Sequence, residues 1–184
     1  MKRAKIIDAT TFSRTVNRVV HEILERNKVA EQLALVGIRN RGQFLARRLA
    51  AKIKEMENID VPVGILDITL YRDDLHGRLD QPKLQSSEIL FDISGKVIVL
   101  VDDVLFTGRT VRSALNALMD IGRPALIQLL VLIDRGHREL PIKADFIGKS
   151  VPTAIQQEVQ VMMTDVDEED AVYLNDAELR EVKP

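Results

Sequence analysis

The chain has 184 residues, 46% of them hydrophobic and 29% charged, and its formal net charge is −2. This length suits one domain over residues 1–184 with a buried core, and the composition is that of an ordinary globular protein. The absence of cysteine excludes disulfides and thiolate metal sites, which fits a cytoplasmic protein. We expect no signal peptide and no membrane association, and the net charge confines any nucleic-acid surface to a local patch.

Helices and strands are predicted to alternate as far as residue 134. In chain order we expect a helix over 11–27, a strand over 33–38, a helix over 42–57, strands over 61–71 and 96–104, a helix over 110–122 and a strand over 125–134. The helices carry apolar residues at a spacing of three to four, and the second and fourth strands are apolar enough for burial on both faces. This order predicts a doubly wound α/β fold, with a mostly parallel sheet and helices on both faces.

Two regions interrupt the alternation. Residues 71–92 are polar, lack a clear period and include Gly77 and Pro82, which is typical of a flexible loop that closes over a site. After Gly136 we expect short strands and then an acidic run over residues 165–170, which we interpret as a solvated terminus.

The most informative stretch is KVIVLVDDVLFTGRTVRSAL, residues 96–115. It places Asp102 and Asp103 at the carboxyl end of a predicted strand, where open α/β sheets bind their ligands. The glycine turn and helix start that follow, residues 107–110, offer amides, hydroxyls and a helix dipole to a phosphate. Because two carboxylates would repel that phosphate, we expect them to bind ribose hydroxyls or Mg²⁺. The stretch predicts a sugar-phosphate site with a divalent metal nearby.

Residues 97–110, VIVLVDDVLFTGRT, strongly resemble the phosphoribosyl-pyrophosphate (PRPP) signature of type I phosphoribosyltransferases. The sequence has neither the G-x-x-x-x-G-K-[ST] motif of an NTPase nor the G-x-G-x-x-G motif of a dinucleotide site. Over about residues 15–166 it is also similar to the bifunctional pyrimidine-operon regulators, through the segments HEILERNK, LVGIRNRG, DITLYRDDL, IGRP and DRGHRELPIKADFIGK. Proteins of that family attenuate transcription by binding messenger RNA and also have uracil phosphoribosyltransferase activity.

The resemblance implies roles for individual residues. Asp102, Asp103 and Arg109 would be catalytic, the two carboxylates holding the ribose hydroxyls and helping to order Mg²⁺ through water. The implied PRPP and UMP contacts are Arg39, Asn40, Arg41, Gly42, Arg72, Asp102, Asp103, Val104, Leu105, Phe106, Thr107, Gly108, Arg109, Thr110, Arg135 and Val159. Of these, residues 39–42 would receive pyrophosphate on a strained peptide, and residues 107–110 would bind the 5′-phosphate.

The resemblance also divides the chain into parts around the base. Arg72, Asp73 and Asp74 would lie on the closing loop. Arg135 and Gly136, with backbone near Val159, would belong to a hood, a small covering structure built from about residues 135–165 and the N-terminal region. The family commonly has threonine where this chain has Asn40, and an amide can also donate a hydrogen bond to phosphate.

Basic residues suggest a second function. On the first predicted helix, Arg14, Asn17, Arg18 and His21 lie opposite the apolar stripe, and taken alone this is an ordinary solvated face. The resemblance instead implies an RNA-binding surface made of Arg18, His21, Arg26, His137, Arg138, Lys143 and Lys149. With only 4% aromatic residues, phosphate contacts and polar readout would have to dominate over base stacking.

Three functions remain open at this point. The first is an enzyme that converts uracil and PRPP to UMP and pyrophosphate, with Mg²⁺ and arginines neutralising the leaving group and a closed loop excluding water. The second is a regulator that binds leader mRNA of pyrimidine genes and keeps the site mainly for UMP or UTP. The third is a purine phosphoribosyltransferase, which accounts for the PRPP motif but not for residues 134–149. The resemblance further implies a homodimer or a higher homo-oligomer.

Overall fold

The computed structural model describes residues 3–28, 32–69 and 87–176. In chain order its elements are β1 (Arg3–Ile7), α1 (Ala9–Arg26), β2 (Leu33–Ile38), α2 (Arg41–Glu57), β3 (Val63–Leu66), β4 (Val97–Leu105), α3 (Arg109–Ile121), β5 (Leu126–Asp134), β6 (Phe146–Ser150), β7 (Glu158–Met162) and β8 (Ala171–Asn175). Within these residues no helix is long and apolar enough to cross a membrane.

The main sheet has five parallel strands in the order β3-β2-β4-β5-β6. Successive β4 residues pack on opposite faces, because side chains alternate along a strand. Val99 and Val101 join the core under α1 and α2, whereas Ile98 and Leu100 join the core under α3. Helices therefore cover both faces of the sheet, and the predicted doubly wound α/β fold is confirmed.

A second sheet of three antiparallel strands, in the order β1-β8-β7, packs beside the first. Its buried residues Val159, Val161 and Val172 belong to the same core as α1 and α2. The interval predicted for the hood, about 135–165, is divided: β6 pairs with β5 in the main sheet, and β8 lies beyond residue 165. We keep the word hood for the three-stranded sheet alone.

The predicted strand over 61–71 is too long. β3 ends at Leu66, because the Asp67 carboxylate accepts hydrogen bonds from the Thr69 amide at 2.9 Å and the Thr69 hydroxyl at 2.6 Å and so turns the backbone. The predicted closing loop lies mostly outside the described residues, as do Arg72, Asp73 and Asp74. Its last part pairs with the sheet edge, where the Ile65 and Glu88 amides and carbonyls exchange hydrogen bonds.

The acidic run over 165–170 is not a solvated terminus, as its charge density suggested. Asp165 and Asp170 form ion pairs with Arg48, and Asp167 forms one with Arg41. The sequence pattern missed this because the two arginines, which lie two helical turns apart on one face of α2, are far from the run along the chain.

Candidate active site

The carboxyl ends of the main strands converge on a cleft of about 430 Å³. Its lining combines the loop after β2, the residues after β3, the end of β4 and the start of α3, namely Ile38, Arg39, Asn40, Arg41, Asp67, Ile68, Thr69, Asp102, Asp103, Val104 and Thr110. Neighbouring parallel strands end at the same edge of a sheet, and ligands of open α/β folds bind there. We call this space the strand-end cleft.

Asp102 and Asp103 lie side by side at the end of β4. The Asp103 amide donates to Oδ1 of Asp102 at 2.9 Å, and the Val104 amide donates to Oδ1 of Asp103 at 3.0 Å. Burial, followed by the charge of Asp103, raises the pKa of Asp102 well above its ordinary value. Burial also raises the pKa of Asp103, although the positive charge of Arg41 opposes this. Two carboxylates in this setting favour ligands that donate hydrogen bonds or carry positive charge.

Residues 107–110, the predicted phosphate cradle, form the turn before α3 and its first two residues. Gly108 has φ of 91°, a conformation that costs glycine little and other residues more, and α3 has no side-chain N-cap. The Glu139 and Leu140 amides donate to the Thr107 carbonyl at 3.0 and 3.2 Å, which holds the turn from outside. Arg109 Nε pairs with the Glu139 carboxylate at 2.6 Å. An uncapped helix start of this kind is suited to an anion.

The loop after β2 holds strain. Asn40 has φ of 82° and ψ of −120°, a region that non-glycine residues rarely occupy, and the described residues contain no cis peptide bond. Gly42 lets α2 approach β4, because a Cβ at this position would lie 2.5 Å from the Val101 carbonyl oxygen. The chain therefore brings the start of α2 next to the aspartate pair.

A second and larger cleft, of about 820 Å³, lies between the main sheet and the hood. We call it the hood cleft, and its lining is Arg3, Arg41, Asp103, Val104, Glu158, Val159, Gln160, Val161 and Asn175. Arg41, Asp103 and Val104 line both clefts. The two spaces therefore adjoin at these three residues.

Comparisons with known proteins identify the family. A model of the phosphoribosyl transferase domain matches residues 4–166. The bifunctional protein PyrR of Pelotomaculum thermopropionicum is 58% identical over 94% of this chain and 96% of its own length, and that of Listeria monocytogenes is 57% identical over 95% and 97%. The chain belongs to the PyrR family of phosphoribosyltransferases.

Solved structures support the fold of this phosphoribosyltransferase. The hypoxanthine phosphoribosyltransferase of Trypanosoma cruzi superposes with a TM-score of 0.72 at 17% identity, over 95% of this chain and 97% of the other. The enzyme of the same name from Staphylococcus aureus gives a TM-score of 0.67 at 16% identity, over 96% and 93%. At such low identity these similarities establish the shared fold and carry no information about the substrate.

The residues implied for this phosphoribosyltransferase site do not all line the two clefts. Those that do are Arg39, Asn40, Arg41, Asp102, Asp103, Val104, Thr110 and Val159. Leu105 is buried in the core under α3, and Arg72 lies outside the described residues. Asp67 and Thr69 were missed, although their position directly after a strand could have predicted them. Arg3 and Gln160 had no such signal, because only the hood brings them to the cleft.

Arg135, which the resemblance implied as a PRPP or UMP contact, lines neither cleft of this phosphoribosyltransferase. It is buried, and it donates to the Thr153 hydroxyl at 3.2 Å and to the Ala154 and Ile155 carbonyls at 3.2 and 3.4 Å. Its guanidinium lies 4.0 Å from the centre of the Phe106 ring, and burial lowers its pKa. These contacts fix Phe106 immediately before the phosphate cradle.

The basic residues implied for RNA binding have unequal freedom. Arg18 forms an ion pair with Glu22 and donates to the Ile147 and Gly148 carbonyls. The other internally held members are Arg26, paired with Asp145 at 2.9 Å, Lys149, donating to the Ile6 carbonyl at 3.1 Å, and His137, 2.6 Å from the Thr153 carbonyl oxygen. His21 and Lys143 are exposed.

Arg138 is the most strongly held member of that set. Its guanidinium donates to the carbonyls of Phe106 at 2.8 Å, Ile142 at 3.0 Å, Gly136 at 3.1 Å and Leu105 at 3.4 Å, and pairs with Asp134 at 2.5 Å. Two of these carbonyls belong to the segment that leads into the phosphate cradle. The Arg138 side chain therefore holds the backbone at the end of β4. The sequence showed only a basic cluster and did not predict this role.

The described residues contain no group of three or more histidine, cysteine, aspartate or glutamate side chains that could hold an ion. Asp102 and Asp103 supply two adjacent carboxylates whose pKa values are raised, chiefly by burial. This donor pair fits a divalent cation that arrives with oxygen ligands of its own, such as those of a pyrophosphate.

Proposed function

We propose that the protein converts uracil and PRPP to UMP and pyrophosphate, and that it also binds leader mRNA of pyrimidine genes and attenuates their transcription in response to uridine nucleotides. The curated relatives carry the name bifunctional protein PyrR at 57–58% identity over nearly their whole length. PRPP, nucleotides and nascent transcripts are cytoplasmic molecules in bacteria, so we propose that the protein acts in the cytoplasm.

The observation that carries the enzymatic proposal is that the two clefts adjoin, with Arg41, Asp103 and Val104 in the lining of both. PRPP has a ribose with a phosphate at one end and a pyrophosphate at the other, and the base must approach the carbon that bears the pyrophosphate. In our proposal the strand-end cleft takes the ribose and both phosphate groups. The hood cleft takes uracil, with the backbone at Val159 close to its edge.

The reaction breaks the bond between the anomeric carbon and pyrophosphate and forms the bond from that carbon to a uracil nitrogen, which loses its proton. Positive charge develops on the sugar as the leaving group departs, so no enzyme nucleophile is required. Asp102 and Asp103 would orient the ribose hydroxyls and stabilise that charge, and the arginines of residues 39–42 would hold pyrophosphate. Thr107, Gly108, Arg109 and Thr110 would hold the 5′-phosphate.

Mg²⁺ is the proposed cofactor, bound mainly through PRPP and through water near Asp102 and Asp103. When bound it would neutralise charge on the pyrophosphate leaving group. The chain's own part is to present two adjacent buried carboxylates, whose ionised forms a nearby cation would stabilise.

RNA binding is proposed for the face that carries His21 and Lys143, which are exposed, together with Arg18, Arg26 and Lys149. Partial internal pairing leaves long arginine and lysine side chains able to exchange a carbonyl or carboxylate for a phosphate. We further propose that UMP and UTP bind in the clefts and change RNA affinity, and that the working form is a homodimer or a larger homo-oligomer.

One experiment tests both activities. Purified protein is incubated with PRPP and Mg²⁺ and a panel of uracil, cytosine, hypoxanthine and guanine, and product nucleotides are quantified. The same preparation is titrated with a leader RNA in a gel shift, with and without UMP. We expect UMP as the dominant product and tighter RNA binding with UMP present. Transfer to a purine instead of uracil would overturn the enzymatic proposal, and RNA binding equal to that of an unrelated transcript would overturn the regulatory one.

A further inference from the structure

The acidic turn, which we define as residues 163–170, fastens the hood to α2 at two points. Asp167 pairs with Arg41 in the first turn of α2, and Asp165 and Asp170 pair with Arg48 two turns later. The first point lies at the junction of the two clefts, whereas Arg48 lines neither of them. Of the two arginines that the acidic turn binds, only Arg41 therefore lies at the clefts.

Asp167 is itself fixed to the core. Its Oδ2 accepts a hydrogen bond from the Met163 amide at 2.8 Å, and its own amide donates to the Met163 carbonyl at 2.7 Å. Met163 is fully buried in the core beneath α1 and α2. The carboxylate consequently has a defined position before it contacts the arginine.

The contact with Arg41 engages one end of its guanidinium. Both Asp167 oxygens accept from Nη2, at 3.0 and 3.1 Å. The Nε of Arg41 is buried and has no hydrogen-bond partner among the described residues. A guanidinium has five N–H donors, so a carboxylate bound to Nη2 restrains the side chain while donors that it does not engage stay available. The side chain is about one third exposed, which leaves it accessible from the clefts.

We infer that Asp167 is a positioning residue for phosphoribosyl transfer, which holds the Arg41 guanidinium at the junction of the two clefts so that its remaining donors meet the pyrophosphate group of PRPP. The inference rests on the proposed function and adds to it a residue from the hood that acts through Arg41. The cost of immobilising a flexible arginine on substrate binding is then largely met in the folded protein.

Asp167→Asn tests the inference, with Asp165→Asn as the matched control. Both changes remove one carboxylate charge from the same turn and loosen one arginine of α2. We expect Asp167→Asn to raise the KM for PRPP about tenfold, with a smaller change in kcat, because uniform binding is lost. Asp165→Asn should leave KM and kcat within twofold of wild type. The two variants should lower Tm by similar amounts. An unchanged or lowered KM in Asp167→Asn would overturn the inference.

A double-mutant cycle separates positioning from general loosening. If Asp167 acts through Arg41, adding Asp167→Asn to Arg41→Gln should change the KM for PRPP no further. Additive losses would contradict the inference. Should Asp167→Asn not fold, Asp167→Glu moves the carboxylate by one methylene group and carries the same test: a raised KM supports the inference, and an unchanged one overturns it.

Failure of the proposed function gives a different result. If wild-type protein makes no UMP, calorimetric titration with PRPP and Mg²⁺ still compares the variants. A weaker PRPP affinity in Asp167→Asn than in Asp165→Asn supports the positioning role without any turnover, and equal affinities contradict it.

Discussion

The strand-end cleft and the basic face are built in opposite ways. The cleft takes Asp102, Asp103, Val104 and Thr110 from one short run of the chain. The basic face is assembled from distant parts of the chain, and most of its charges already have partners: Arg18, for example, donates to carbonyls 129 and 130 residues away. A run on one strand-turn-helix unit fixes its own geometry. The availability of a surface charge depends instead on what the fold places beside it.

The largest effect should come from the run itself. Changing Asp103 to Asn removes a carboxylate that we assign to the ribose and the cation, and should lower the rate of UMP formation by about 10²–10³-fold. RNA affinity without nucleotide should not change, because the basic face does not include this residue. Asp60→Asn serves as a control, because Asp60 is exposed, follows the end of α2 and forms an ion pair with Lys54 at 2.7 Å. Near-normal rates in both Asp102→Asn and Asp103→Asn would show that the ribose assignment is wrong.

The second effect tests whether Arg138 belongs to the cleft or to the face. Because its guanidinium binds the Leu105 and Phe106 carbonyls, Arg138→Gln should destabilise the fold by about 1.5–3 kcal/mol and lower UMP formation about tenfold. Lys143→Gln should change neither. Unfolding curves and initial rates for both variants measure this. An Arg138→Gln protein with full stability and full activity would return the residue to the basic face.

These contrasts define what the sequence could reveal. Apolar runs bounded by helical periods were sufficient for the parallel sheet, and the acidic pair with its glycine turn was sufficient to place a strand end and the start of α3 beside each other. The end of β3 was missed because it depends on the Asp67 side chain binding the backbone, which a hydropathy pattern does not record. The acidic run was misread because Arg41 and Arg48, its partners, are more than 110 residues away.

A smaller effect should appear in RNA binding as a function of salt. Each phosphate contact to single-stranded RNA contributes about 0.7 to the slope of log affinity against log salt, so Lys143→Gln should flatten that slope by about this amount and leave UMP formation unchanged. Lys54→Gln removes an exposed charge on α2, a helix that contributes no residue to the basic face, and should not alter the slope. Gel shifts across a salt series with and without UMP measure both this slope and the coupling between RNA and nucleotide, which must be reciprocal.

Arg18→Gln and Lys149→Gln test whether internally held charges take part in RNA binding. Both should weaken RNA binding while UMP is made at the normal rate, because neither side chain lines a cleft. If their internal hydrogen bonds hold them away from RNA, both variants will bind RNA as wild type does and only Lys143→Gln will show a loss. In that outcome the basic face shrinks to its exposed members.

The smallest effect concerns the stability of the cleft without ligand. Burial raises the pKa of Asp102, so the neutral form of its side chain is favoured in the folded state. The stability that this neutral form contributes is fully present below the ordinary aspartate pKa and is lost as pH rises through the raised pKa. Asp102→Asn is neutral throughout. We therefore expect the variant to melt above wild type at pH 8 by a few degrees, roughly 2–4 °C for each 1 kcal/mol, with the gap closing as pH falls towards 4.

The quantity to measure is the difference in Tm between Asp102→Asn and wild type at each pH, because other carboxylates change the stability of both proteins in the opposite direction. The pKa of Asp8 is lowered by its hydrogen bonds from Thr11, and that of Asp92 by its hydrogen bonds from Ser94. These groups lose stability as pH falls, in wild type and variant alike, so they cancel in the comparison. A variant that melts below wild type at pH 8 would mean that Asp102 is stabilised as a carboxylate in the free protein. The Asp102 carboxylate would then be stabilised by its neighbours in the fold, as the internally held arginines of the basic face are. The contrast between the two regions would disappear.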